Sequence, residues 1–185
     1  PRLTVEPPLP DPLAQGVVAL GLFDQGRYAL AVNQLQSRVT LLDLASGTVK
    51  GSIEVAAHPD HIALSREFAY VRGQGTANIS VIGLGEARQG RLHAVSVPIG
   101  QSLPADAPES INVAEVMAPA PEGDGLFVAN APDRTIYRYV EGLMVPAGSF
   151  SNYKRMARGL LVLDTSFVSR RTFDFFWERT NASTG

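Results

Sequence analysis

"ALAVNQLQSRVTLL" (Ala29–Leu42) and "LFVANAPDRTIYRY" (Leu126–Tyr139) share one pattern: an apolar run ends in Asn, a polar stretch follows, and a β-branched residue stands six positions after the Asn, at Val39 and Ile136. Short apolar runs bounded by turn residues read as strands. Working outward from the first segment, Gly16–Ala56 resolves into four such runs, closed in turn by "DQGR", "QLQS" and "ASGT". Asn suits the end of a strand because its amide bonds the backbone of a tight turn and tolerates left-handed φ.

The order then recurs. "DHIALS", "FAYVR", "NISVIGL" and "LHAVSVPI" form a second unit, and "INVAEVMAPAPEGDG", "LFVAN", "TIYRYVEG" and "LMVPAGSF" a third. Four strands in about 40 residues is the size of one propeller blade. In the second unit Arg72 takes the place of the Asn, and Ile79 follows seven positions later, so its turn is expected to hold one extra residue. "GQSLPADAPES" (100–110) reads as a loop inserted between the second and third units. The organisation expected is a Pro-rich segment over 1–15, three blades over 16–150 (about 16–57, 58–100 and 111–150), then a further strand and an aromatic tail over 151–185.

Composition narrows the class. Of 185 residues, 45% are hydrophobic and 18% charged, which suits a globular chain, and 17 Gly with 13 Pro favour the frequent turns of an all-β fold. Sixteen basic against 18 acidic residues, net charge -2, give no global positive field for nucleic acid or an anionic membrane. Cysteine is absent, which excludes disulfides, thiolate metal sites, cysteine nucleophiles and thioether-attached haem. No apolar stretch approaches the roughly 20 residues of a membrane span. The chain begins at Pro1 without a basic-then-apolar leader and is read as a mature or excised piece.

"ALAVNQLQSRVTLLDLASGTVKGSIEV" resembles the YVTN-type β-propeller repeat, in which an apolar strand ends in Asn, a second ends in Asp, and a Thr-Gly or Ser-Gly turn precedes the fourth strand. "HPDHIALS" resembles the Pro-containing entry to such a blade. The resemblance covers about residues 16–150 and implies an all-β fold of antiparallel four-stranded blades. Many YVTN-type proteins work outside the cytoplasm, so a periplasmic or extracellular location is expected. The family is also similar to the propeller of haem-containing nitrite reductases, yet no cofactor-ligand pattern is present to carry that role across.

The one cluster of metal-ligand type is "HPDHI", with His58, Asp60 and His61. Imidazole and carboxylate ligate zinc or copper, but a site needs three or four convergent groups, and a face loop is the plainer reading. His58 and His61 are thus weak metal candidates, and no cofactor is expected. Arg72 is counted with the binding candidates. So are Tyr153 and Arg155 of the basic, aromatic stretch "NYKRMAR", where an anionic partner could bind. Ser46 and Ser149 lack the G-x-S-x-G elbow, Glu122 and Asp124 read as a turn, and "GLGEARQG" lacks the phosphate-loop Lys, with no helix expected after it.

Three blades do not close a propeller, which takes four to eight. The chain is therefore expected to be an incomplete propeller, finished by a protein partner or an additional chain. Its expected role is that of a non-catalytic binding or scaffold module presenting loops to a protein or small ligand. The alternative is the propeller part of a metal- or haem-dependent redox protein.

Overall fold

A computed structural model describes residues 15–100, 114–120, 125–130, 132 and 135–149. Over them the chain forms β1 (Val17–Phe23), β2 (Tyr28–Asn33), β3 (Arg38–Asp43), β4 (Thr48–Glu54), β5 (Pro59–Leu64), β6 (Phe68–Gly73), β7 (Asn78–Gly83), α1 (Leu84–Arg88), β8 (Ala94–Pro98), β9 (Ala114–Pro119), β10 (Leu126–Asn130), β11 (Thr135–Val140) and β12 (Leu143–Ser149). The strands make three antiparallel sheets, β1–β4, β5–β8 and β9–β12, each a meander in chain order.

Turn chemistry produces the meanders. Between β1 and β2, Asp24, Gln25 and Gly26 take φ of 55, 56 and 83, the left-handed region open to Asp, Asn and Gly at least cost. After β3 the Asp43 carboxylate accepts the backbone N–H groups of Ala45 at 3.1 Å and Ser46 at 3.3 Å, shaping the "ASGT" turn. Glu141 and Gly142, with φ 48 and 91, join β11 to β12 directly, as a two-residue hairpin with φ positive at both positions requires. The stretch "GLGEARQG", after which no helix is expected, contains one. In α1, Leu84 and Ala87 lie three residues apart on one face and are buried.

The strand ladders show which residues are equivalent in the three sheets, and they correct the reading at Arg72. Val17 pairs with Asn33, Pro59 with Gly73 and Ala114 with Asn130, each beside a bulge that adds one residue to the first strand. Gly73, not Arg72, therefore holds the Asn position. Ile79 then stands six positions on, as Val39 and Ile136 do, so the second turn has no extra residue. Asn is excluded at 73 because a Cβ there would run into the carbonyl of Ala57. Pattern matching chose Arg72 because a polar residue flanked by strand looks more like Asn than glycine does.

The sheets stack as blades around their first strands: β5 lies between β1 and β9 and touches both. Side chains alternate faces along each strand, so the middle sheet buries both. Ile62, Ala69, Val71 and Ile82 pack against Leu30, Val32, Val39 and Leu41 of the first sheet. Tyr70, Ile79 and Val81 pack against Met117, Leu126, Val128 and Tyr137 of the third. Each large side chain so buried contributes about 1.5–3 kcal/mol. The chain thus has the expected all-β architecture, antiparallel four-stranded blades of a β-propeller, and three blades lie among the described residues.

Candidate binding site

One Asn side chain ties each outer blade to its entry. Asn33 Nδ2 donates to the Gln15 carbonyl at 2.9 Å, while its Oδ1 accepts from the Gln36 N–H at 3.0 Å. Asn130 Nδ2 donates to the Ile99 carbonyl at 3.1 Å, joining the third blade to the chain leaving the second. Both residues are buried. In the middle blade Gly73 has no side-chain amide, and the Ala57 carbonyl occupies the space that a Cβ there would take. These contacts are architectural, which leaves the chemistry to residues peculiar to one blade.

Such residues occur at the start of β5. The bulge between Pro59 and His61 makes Asp60 the extra residue, and bulges re-aim side chains in this way. Asp60 faces Arg72 in a two-pronged pair, Nε to Oδ1 at 2.8 Å and Nη2 to Oδ2 at 3.2 Å, and Gln74 Nε2 donates to Oδ2 at 3.4 Å. The two ionic side chains are only 13% and 15% exposed. His61 is Arg72's ladder partner, exposed yet partly desolvated. Burial, then the Arg72 charge, push the imidazole pKa below 6.5 against the opposing pull of Asp60. At the equivalent ladder positions the first blade has Val18, Ala19 and Val32, so the cluster belongs to the middle blade.

His58 does not join the cluster through its ring. It stands where the first blade has Gly16, with φ 45 against 87. Its carbonyl accepts the Gln74 N–H at 3.1 Å, as the Gly16 carbonyl accepts that of Gln34 at 2.8 Å. Three of the sequence candidates, Asp60, His61 and Arg72, are thus brought together, and His58 braces the turn beside them. Tyr153 and Arg155 lie outside the described residues, as do Glu122, Asp124, most of the 100–110 loop and the aromatic tail. Among the described residues no group of three or more His, Cys, Asp and Glu could hold a metal ion. Sequence reasoning missed Gln74 in the cluster and Glu115, the extra residue in the matching bulge of β9.

What such a cluster does chemically is hydrogen-bond. The Asp60 charge is matched by Arg72 inside the fold through two charge-assisted hydrogen bonds. Neutral imidazole at His61 can both donate and accept.

Fold and site together define a β-propeller module. Its fold is shared by many solved structures, three of which follow. Hydrazine synthase of Kuenenia stuttgartiensis matches 75% of this chain and 37% of its own, at TM-score 0.56 and 19% identity. A functionally unknown protein from Desulfotomaculum acetoxidans covers 70% and 41%, at TM-score 0.51 and 19% identity. The dihydro-haem d1 dehydrogenase NirN, solved in complex with DHE, covers 73% and 28%, at TM-score 0.52 and 18% identity. The chain spans well under half the length of each. No family model and no curated protein sequence matches it.

Proposed function

We propose that this chain is a non-catalytic binding or scaffold module of the YVTN repeat type, acting in the periplasm or outside the cell and completed by further blades. The observation that carries the reading is the Asp60–Arg72 pair, closed on itself with Gln74 beside His61. Such a group recognises polar ligands without supplying an acid, base and nucleophile set. The repeat type is supported by Asn33 and Asn130 at matching strand ends and by Asp43 ahead of the "ASGT" turn.

The redox reading rests on a different observation. His58 and His61 lie within four residues at the entry to β5, and two fold neighbours are named as a hydrazine synthase and a dihydro-haem d1 dehydrogenase. Metal analysis of the purified chain, and absorption spectra during haem titration, separate the two. The binding-module reading expects no stoichiometric metal, no Soret shift, and unchanged stability when His58 and His61 are replaced together by Gln. A metal or haem bound one to one by the parent and lost in the double variant would establish the redox reading instead.

A further inference from the structure

Repeat equivalence exposes an asymmetry in the first blade. The face of the middle blade that packs on the first is built on Ile62, Leu64, Ile82 and Ala94. By ladder position the first blade carries Leu20, Leu22, Leu42 and Val49 on its corresponding back face. The same position is 8% exposed at Ile62 and 61% exposed at Leu20; Leu22 is 58% exposed and Val49 44%. Leu20, Leu22 and Val49 thus stand exposed at the edges of a face whose centre, Ala29, Ala31 and Thr40, is buried.

The polar detail of the seen interface also has an unused counterpart. Ser80 Oγ, on the back face of the middle blade, accepts the N–H of Ala56 at 2.9 Å from the segment leaving the first blade. Its equivalent is Thr40. We propose that the back face of the first blade docks a further four-stranded blade of the same repeat. The docking sheet has an aliphatic front face like that of Leu30, Val39 and Leu41, and its exit segment donates a backbone N–H to the Thr40 hydroxyl. This deepens the proposal of a module completed by further blades, and it rests on that reading. A second copy of this chain is the poorer occupant. On the third blade's front face, exposed Arg138 stands where the other blades have Leu41 and Val81 and would set a charge against the aliphatic back face.

The test inserts a duplicate of residues 16–57 between Gln15 and Gly16. Gly16 and His58 are equivalent and both left-handed, so the new junction from Ala57 to Gly16 reproduces the backbone of the existing one from Ala57 to His58. The inserted blade is expected to cut the hydrophobic-dye fluorescence of the parent at least twofold and to slow amide exchange in β1 at least tenfold. Lys at Leu30 and Leu41 of the duplicate should abolish both effects. Unchanged dye binding and exchange would overturn the proposal, as would a discrete, stoichiometric dimer of the parent. In the parent itself, Leu20→Lys with Leu22→Lys should remove dye binding with the melting temperature held; unfolding of that variant would show the face already covered and overturn the proposal too. None of these readouts depends on ligand, metal or haem, so a failure here leaves the binding and redox readings to be judged by their own titrations.

Discussion

Asn33 and Asn130 hold equivalent positions for one physical reason: a buried side-chain amide there hydrogen-bonds a carbonyl of the linker that enters the blade. Asn130→Ala should cost about 0.5–2 kcal/mol, the range of side-chain-to-backbone caps, measured by urea denaturation. Gly73 is the instructive exception. Restoring the motif with Gly73→Asn should destabilise by about 1–3 kcal/mol, because the new Cβ meets the Ala57 carbonyl and backbone yields poorly. A gain in stability from Gly73→Asn would show that the two kinds of blade entry are interchangeable. For His61 the pKa is lower folded than unfolded, so the unfolded state binds more protons in between. The contribution of neutral His61 is fully present above the unfolded value of about 6.5 and declines as pH falls through it toward the folded value. Thermal melts from pH 8 to 5 should therefore fall more steeply for the parent than for His61→Gln; parallel profiles would refute the role of His61.

At the scale of elements, the bulge after the first residue of each inner strand recurs in all three blades, while the residue it adds differs: Val18, Asp60 and Glu115. Architecture and chemistry are thus separated, with the backbone irregularity common to the repeat and the polar cluster confined to β5, β6 and the turn after them. The inner strands also pack closely. A Cβ at Gly21 of β1 would meet Leu64 Cδ1 at 2.8 Å and Ile62 Cδ1 at 3.0 Å, both in β5. Gly21→Val should push the first two blades apart and cost about 1–3 kcal/mol. Amide exchange should then rise in β1 and β5 while β10 and β11 keep their protection. Uniform loss across all three blades would mean that the blades unfold as one unit.

For the whole molecule, the exposed row of Val18, Leu20 and Leu22 dominates behaviour in solution. Contiguous apolar faces of this kind promote association. Static light scattering of the isolated chain should give an apparent mass that rises with concentration without settling at a fixed multiple of 19.8 kDa. A mass constant at one chain from about 1 to 100 μM would count against the incomplete-propeller architecture.

Much of this was legible in the sequence, because turns and strand alternation are local: "DQGR", "QLQS" and "ASGT" mark the first blade, and the six-residue spacing after Asn marks two of the three central hairpins, β2–β3 and β10–β11. Glycine hid the third, since it leaves no side chain by which to recognise an Asn position. The cluster was legible in part. Asp60 and His61 stand together in "HPDHI", but Arg72 and Gln74 lie 12 and 14 residues from Asp60, and only the bulge and the β5–β6 register bring them to the carboxylate. The sequence by itself determined the class, the repeat and its polarity, all of which follow from neighbours along the chain. Which ladder positions match, which carboxylate meets which guanidinium, and which apolar side chains are left exposed were decided by tertiary structure, because each depends on pairing between strands far apart in sequence, where a one-residue shift exchanges one face for the other.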